Sequence, residues 1–191
     1  MAEIRVDGER LWRSLMTMAE IGATPRGGVN RQTLSDEDRR GRDLFRSWCE
    51  AAGLHVSVDR MGSMFARRDG TDADLPPVML GSHLDSQPTG GKFDGALGVL
   101  AALEVVRTLN DHGITTTAPL EVVNWTNEEG CRFPPAMIAS GVFAGVFDLD
   151  YGLSRKDHAG RTIGEELERI GYAGDRPVGH RPVGALFELH I

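Results

Sequence analysis

Three segments of the sequence contain histidine and carboxylate residues in patterns that could bind a metal ion. The segment GSHLDSQPTGGKFDG carries His83 and Asp94, and the segment FELHI carries His190. Between them along the chain, NWTNEEGCRF carries the adjacent pair Glu128 and Glu129. Imidazole and carboxylate groups hold Zn²⁺ and similar divalent ions in hydrolytic sites. A free carboxylate beside such ligands can accept a proton from the attacking water. These residues predict a metal-dependent hydrolase.

Asp85 supports the assignment of His83 as a ligand. The two residues are separated by one position, so in extended backbone their side chains share a face. A carboxylate next to a metal-binding imidazole commonly fixes the tautomer of the ring. The His-x-Asp pattern alone is a weak signal, but the glycine-rich stretch TGGKFDG that follows it allows tight turns and close backbone approach.

Simpler interpretations exist for each of these residues. Asp94 directly precedes a long apolar helix and could be its N-cap. The Glu128-Glu129 pair could form an exposed acidic loop, although two adjacent carboxylates repel and need a cation or solvent when they are partly buried. His190 lies in an alternating strand pattern and could be a buried core histidine. Taken singly, none of the three positions excludes its simpler interpretation.

Hydrophobic periodicity predicts the elements that must position these residues. Short apolar runs predict covered strands, and 3.6-residue periodicity with Ser or Thr before it and Gly after it predicts capped helices. The predicted helices cover 8–21, 35–53, 96–113, 136–145 and 162–171, and the predicted strands cover 54–60, 63–68, 78–83, 120–126 and 185–191. Strands alternating with helices indicate an α/β sheet, in which ligands gather at the carboxyl ends of the strands.

Composition excludes several classes of protein. The 191 residues, 40% hydrophobic, suit one domain, and the net charge of −7 with no run of Lys or Arg argues against nucleic acid. The sequence shows no signal peptide and no stretch of membrane-spanning length, which predicts a cytoplasmic protein without membrane contact. Cys49 and Cys131 are far apart and suggest neither a zinc ribbon nor a disulfide framework.

Three longer blocks of sequence resemble one enzyme family. They are GSHLDSQPTGGKFDGALGVLAALEVVRTL, LEVVNWTNEEGCRFPPAMIASGVFAG and FELHI. They are similar to the M20-type amidohydrolases of the hydantoinase/carbamoylase group, which includes N-carbamoyl-L-amino-acid hydrolases, β-ureidopropionases and allantoate amidohydrolases. The resemblance implies an aminopeptidase-like (phosphorylase/hydrolase-like), three-layer α/β/α catalytic domain with two divalent ions, into which the family inserts a smaller dimerisation domain.

The resemblance also implies roles for the metal-binding residues. His83 and His190 would hold one ion, Asp94 would bridge both ions, and Glu129 would hold the second. The first ion then has three protein ligands and an open position, whereas the second has only Asp94 and Glu129. The other histidines, at 55, 112, 158 and 180, lack supporting carboxylate patterns and are expected at the surface or at helix caps. Such ligands suit Zn, Mn, Co and Ni nearly equally.

The remaining site residues follow in the same way. Glu128 would be the general base and Asp85 would orient His83. Gln87 and Arg132 are local candidates for contact with the substrate. The reaction implied is hydrolysis of a linear ureido or amide C–N bond, foremost that of an N-carbamoyl-L-amino acid to the amino acid, CO₂ and ammonia. The partner implied is therefore a small molecule.

Family members are longer than this chain and continue past FELHI into the dimerisation domain and a distal histidine ligand. We therefore expect residues 1–191 to be the N-terminal part of the catalytic domain, without the surface that makes the family homodimeric. Two alternatives remain open, namely another substrate such as allantoate or a different amide, and an inactive fragment acting as a metal-binding or scaffold domain. A nucleotide-binding α/β domain would need a Rossmann or Walker pattern, and TGGKFDG fits neither.

Overall fold

The computed structural model describes residues 4–191 and contains helices and strands in nearly the predicted order. The helices are α1 Gly8–Ala19, α2 Asp36–Ala51, α3 Ala96–Asp111, α4 Ile138–Phe143, α5 Leu149–Leu153 and α6 Ile163–Ile170. The strands are β1 His55–Val58, β2 Met64–Arg68, β3 Val78–His83, β4 Leu120–Trp125 and β5 Ala185–Phe187. No helix within these residues is long and apolar enough to cross a membrane.

Local sequence signals set the starts of two helices. The Ser35 hydroxyl accepts a hydrogen bond from the Asp38 amide at 3.1 Å, which caps α2. Thr162 and Glu165 form a reciprocal capping box at the start of α6. Each cap satisfies amide groups that the first helical turn leaves without partners.

The strands form one mixed sheet in the order β1-β2-β4-β3-β5. The β1–β2 and β2–β4 pairs are antiparallel, whereas β4 and β5 pair with β3 in parallel. The parallel strands bring the carboxyl ends of β3, β4 and β5 to one edge of the sheet. This is the edge at which the sequence places the candidate ligands.

Helices pack on both faces of this sheet, in agreement with the predicted α/β class. Leu80 of β3 packs into the larger core together with residues of α1, α2 and α3. Its neighbour Met79 points to the other face, where it joins Phe65, Val123 and Trp125, with Phe143 of α4 packed against them. Because side chains alternate between the two faces along β3, this one strand contributes residues to both hydrophobic cores.

The structure differs from the predicted elements in one strand end and one additional helix. The strand predicted for 185–191 ends at Phe187, because β5 pairs only with Val78–Leu80 and the chain then leaves the ladder. A helix at Leu149–Leu153 was not predicted, since its five residues are too few to show helical periodicity. His190 therefore lies beyond a strand rather than within one.

Candidate metal centre

The candidate ligands follow the carboxyl ends of the three parallel strands. His83 is the last residue of β3, the Glu pair lies three and four residues past β4, and His190 lies three residues past β5. The β3–β5 register pairs Val78 with Ala185, and continuing it would place residue 190 beside residue 83. Parallel pairing thus brings together residues that are 107 positions apart in sequence.

His83 is fully buried and has a defined tautomer. Its Nδ1 atom lies 2.9 Å from the backbone carbonyl oxygen of Asp85. Because a carbonyl oxygen accepts hydrogen bonds and cannot donate them, Nδ1 carries the proton. In the neutral ring, Nε2 then presents a lone pair to the centre of the site.

Three side chains converge on this Nε2 atom. His190 Nε2 lies 3.3 Å away, Glu128 Oε2 lies 3.4 Å away and Asp94 Oδ1 lies 3.7 Å away. Ligand atoms of His83, Asp94 and His190 all lie within 4.8 Å of one another. Two carboxylates and two imidazole nitrogens facing one another repel unless a cation or protons lie between them. The donor set therefore fits a divalent ion held by these two histidines and Asp94.

Glycine at position 95 makes the close approach of α3 to His83 possible. Gly95 adopts φ +61, and a Cβ atom there would lie 2.4 Å from His83 Nε2. Gly95, not Asp94, is the N-cap residue of α3, and no side chain caps that helix. The simpler interpretation of Asp94 as a helix cap was therefore wrong, and its carboxylate is directed to the cluster.

Asp85 supports the site in two ways. Its backbone carbonyl orients the His83 ring, while its carboxylate Oδ1 is 3.6 Å from Nδ1, beyond a good hydrogen bond. The carboxylate instead accepts the backbone amides of Glu128 and Glu129 at 3.2 and 3.3 Å. Burial raises the pKa of Asp85 to about 6. The expected orienting role thus belongs to the main chain of Asp85, and its side chain positions the glutamates.

Glu129 and Gln87 contact each other rather than the cluster. The Gln87 amide Nε2 donates to Glu129 Oε2, and the Gln87 backbone amide lies 3.3 Å from Oε1. Within residues 4–191, the group of potential ligands that come together is His83, Asp94 and His190, without Glu129. The assembled donors therefore account for one ion, and the second ion expected at Asp94 and Glu129 stays a prediction.

The guanidinium of Arg132 is hydrogen-bonded to residues outside the cluster. Its guanidinium donates to Asp157, Glu166 and the carbonyl oxygen of Thr33 at 2.7 to 3.2 Å. These partners use both edges of the guanidinium fork. Contact between Arg132 and substrate therefore stays a prediction, and the sequence did not reveal that Asp157, Glu166 and the Thr33 carbonyl accept its hydrogen bonds.

Asn127 shapes the site and was missed in the sequence. It is fully buried and adopts the left-handed conformation with φ +57 immediately before the Glu pair. Its side chain donates to the carbonyl oxygens of Phe133 and Pro135, which closes the loop after β4. Asn tolerates the left-handed region better than most residues, so an Asn directly after a covered strand was the available signal.

The other histidines lie at the surface, as expected. Those at 55, 112, 158 and 180 are all exposed. His112 Nδ1 donates to the carbonyl oxygen of Thr108, and His112 is the C-cap residue of α3. His190 is also exposed, which removes its simpler interpretation as a core histidine.

An apolar groove of about 930 Å³ opens beside the cluster. Its walls include Met79, Trp125, Phe143 and Leu186, and it reaches Glu128 and His190 at one end. The cluster therefore has an accessible side, although His83 itself is buried.

Comparisons with known proteins point in one direction. The model of peptidase family M20/M25/M40 matches residues 79–191. An N-carbamoyl-L-amino-acid amidohydrolase of Rhizobium meliloti is 63% identical over 98% of this chain and 45% of its own length. A second, from Geobacillus stearothermophilus, is 45% identical over 97% of this chain and 46% of its own length.

Solved structures agree with these relatives. A crystal structure of an amidase of the hydantoinase/carbamoylase family from Burkholderia multivorans is 68% identical and superposes with a TM-score of 0.98. The match covers 98% of this chain and 46% of that one. The chain thus spans about half the length of the curated relatives and solved structures that it matches.

Proposed function

Because this chain belongs to peptidase family M20/M25/M40, we propose that it carries the metal centre and the general base of an enzyme that hydrolyses N-carbamoyl-L-amino acids. The observation that carries the proposal is the convergence of Asp94, Glu128 and His190 on one nitrogen of His83. The names of the relatives support the substrate class. Residues 1–191 would correspond to the N-terminal part of the relatives' catalytic domain.

The metal site would use His83, Asp94 and His190. A divalent ion bound there supplies Lewis acidity, which polarises the ureido carbonyl and lowers the pKa of water. The fixed Nδ1–H tautomer of His83 keeps its Nε2 lone pair available for such an ion. We retain Zn, Mn, Co and Ni as candidates, because two imidazoles and a carboxylate do not discriminate among them. A second ion, with Glu129 as a ligand, is part of the proposal.

Glu128 would move the proton. Its carboxylate lies at the edge of the cluster, is partly exposed, and is nearer to His83 Nε2 than the carboxylate of Asp94 is. It would take a proton from the water that attacks the ureido carbonyl and hand it to the departing nitrogen. The C–N bond then breaks with release of the amine, and the overall products are the amino acid, CO₂ and ammonia. Asp85 fixes the backbone from which Glu128 projects.

A metal titration tests the first half of this proposal. We expect calorimetry with Zn²⁺ or Mn²⁺ to show binding to the chain that His83→Ala and Asp94→Asn abolish. Glu128→Gln should retain the binding, because Glu128 is assigned to proton transfer and not to the ion. Absence of any binding by the parent chain would contradict the metal centre.

A chimeric enzyme tests the second half. Residues 1–191 can replace the matching 45% of the Rhizobium meliloti relative, so that the rest of that enzyme is present. We expect the chimera to release ammonia from an N-carbamoyl-L-amino acid, and Glu128→Gln to reduce kcat by about 10²–10⁴-fold, the usual contribution of a general base. An active Glu128→Gln chimera would refute the role of Glu128.

A further inference from the structure

Arg31 occupies an unusual environment behind the metal centre. The residue is only 1% exposed, yet it lies in the loop between α1 and α2 and belongs to no helix or strand. Its Nε donates to the carbonyl oxygen of Leu84 at 2.7 Å. Its Nη1 donates to the carbonyl oxygens of Met18 and Ile21 at 3.0 and 2.9 Å. A guanidinium is thus buried against main-chain carbonyls.

These contacts bracket Asp85 on both sides. The Leu84 carbonyl precedes Asp85, and Ser86 follows it. The Ser86 hydroxyl accepts the Arg31 amide at 2.8 Å, and the Ser86 amide donates to the Arg31 carbonyl at 3.0 Å. Side chain and main chain of Arg31 therefore hold the residues immediately before and after Asp85.

Asp85 in turn connects three residues of the site. Its carbonyl sets the proton of His83 on Nδ1, and its carboxylate holds the amides of Glu128 and Glu129. A displacement of the Asp85 main chain would move its carbonyl and its carboxylate together. The position of Arg31 is therefore coupled through Asp85 to the predicted ligand His83 and to the predicted base Glu128.

The fold makes room for Arg31 at some cost. Gly41 on α2 has no Cβ, and a Cβ there would lie 3.0 Å from the Arg31 side chain. Burying a charge without a directly bonded carboxylate is unfavourable, and burial lowers the pKa of Arg31. An apolar residue of similar length would fill the same space without this desolvation penalty.

Val29 and Thr33, on either side of Arg31, contact the two loops that carry Asp94 and the Glu pair. Val29 and Gly90 exchange two backbone hydrogen bonds at 3.0 and 2.9 Å, which ties the chain to the loop before Asp94. The Thr33 hydroxyl accepts the amide of Asn127 at 3.1 Å, which ties it to the loop of the Glu pair. Residues 29–33 thus cross behind both loops, with Arg31 at the centre.

We propose that Arg31 is a positioning residue of the metal centre, which holds Asp85 so that His83 keeps its Nε2 lone pair directed at the ion. The proposal rests on the proposed function. Arg31 touches neither the ion nor the substrate in this account. Its effect passes entirely through the peptide groups on either side of Asp85.

The test compares Arg31→Met and Arg31→Lys with Arg10→Met. Arg10 is a suitable control, because it donates twice to the buried Glu104 at 2.8 Å and pairs with Asp111, and neither of these partners belongs to the cluster. Loss of either arginine removes buried hydrogen bonds, so both variants should be destabilised. Only the Arg31 variants should change the His83 tautomer and the affinity of the site for a metal ion.

Two readouts separate positioning from stability. Nitrogen-15 NMR of the metal-free chain reports the His83 tautomer, which should be Nδ1–H in the parent and in Arg10→Met but mixed in Arg31→Met. Calorimetry with Zn²⁺ should show an affinity lower by about 10-fold or more in Arg31→Met, the usual cost of losing an outer contact of a metal ligand. Arg31→Lys keeps the charge and the stem and supplies both measurements if the Met variant does not fold.

The outcomes are distinct. Folded Arg31 variants with the parental tautomer, and with an affinity no lower than that of Arg10→Met, would overturn the proposal and leave Arg31 as a packing residue. If the parent binds no metal, the proposed function fails. The His83 tautomer still decides the role of Arg31 in that case, because it is measured without metal.

Discussion

The two histidines of the cluster are held in very different ways. His83 ends a strand that is paired on both sides, is fully buried, and has its ring fixed by the Asp85 carbonyl. His190 is exposed and lies beyond β5, an edge strand and the shortest in the sheet. The contacts that place it are the hydrogen bond from Ser82 to Glu188 at 2.6 Å and the approach to His83. One half of the site is thus set by the core, and the other half by a surface segment.

This contrast predicts that the two histidines lose different amounts of conformational freedom when an ion binds. A ligand that is already fixed loses little conformational freedom when an ion binds, whereas an exposed side chain must be ordered at that moment. We therefore expect His83 to contribute more to metal affinity than His190. The four predictions that follow test this difference, beginning with the largest effect.

His83→Ala should remove metal binding. Loss of an outer contact alone typically costs 10–100-fold in affinity, so loss of a fixed ligand should cost at least about 100-fold. The variant should also be less stable, because the Asp85 carbonyl loses its buried donor. Calorimetry with Zn²⁺ and thermal unfolding measure the two effects. His112→Ala, which removes an exposed histidine, is the control, and equal affinities of the two variants would contradict the assignment.

Gly95→Ala should block the site by a steric effect. The added Cβ would lie 2.4 Å from His83 Nε2, at a residue with φ +61. Gly113→Ala is a matched control, since Gly113 has φ +62 and no atom within 4 Å of its Cβ position. Both variants place a side chain at a positive φ, but only Gly95→Ala should lose metal affinity, because only its Cβ would meet the His83 ring. Unchanged binding by Gly95→Ala would mean that the ion does not use His83 Nε2.

Asp59 tests how the burial of a charged group affects the stability of this fold. Its carboxylate is 1% exposed and accepts the amides of Met61 and Ser63, while Oδ2 finds no hydrogen-bond partner among residues 4–191. Burial raises the pKa of Asp59 from 3.8 to about 7. The folded state therefore binds a proton that the unfolded state has released between about pH 4 and pH 7. The contribution of Asp59 to stability falls as the pH rises through this range.

Asp59→Asn removes this titration. We expect the variant to gain stability relative to the parent as the pH rises from 4 to 7, by roughly 2 kcal/mol or more, since one pKa unit corresponds to about 1.4 kcal/mol. Urea unfolding at several pH values measures the difference. A stability difference between variant and parent that does not change with pH would contradict the raised pKa of Asp59.

His190→Ala should have the smallest effect. We expect a loss of about 10-fold in metal affinity, equivalent to about 1.4 kcal/mol, and a change in unfolding free energy within about 0.5 kcal/mol, as is usual for exposed side chains. Calorimetry and urea unfolding provide the measurements. An affinity loss as large as that of His83→Ala would erase the proposed asymmetry between the two histidines.

Much of the site could be predicted from residue types and local pattern. The apolar run VMLGSH predicted β3 with its bounds, and Ser35 and Thr162 predicted two helix starts through their hydroxyl groups. The grouping of His83, Asp94 and His190 around one ion, with Glu129 on a second, was implied by the family resemblance and not by local pattern. The strand and capping signals are local, because strand burial and capping depend on residues a few positions apart.

Other features could not be predicted in this way. Glu129 bonds to Gln87, Arg132 is held by Asp157 and Glu166, and the carboxylate of Asp85 faces backbone amides rather than the His83 ring. Each of these polar groups had several suitable partners in the sequence. The choice among them depends on how the loops pack after the sheet has formed.

The amino-acid sequence by itself determined most of the strands and helices of this chain, though not α5 or the end of β5, and the types of group available to bind an ion. Periodicity and side-chain chemistry are properties of short segments. Only the tertiary structure decided which carboxylates reach the cluster, and that a buried arginine lies behind it. The physical reason is that hydrogen-bond partners in a buried site are chosen by distance and direction. Both arise when residues far apart in the chain meet at one edge of the sheet.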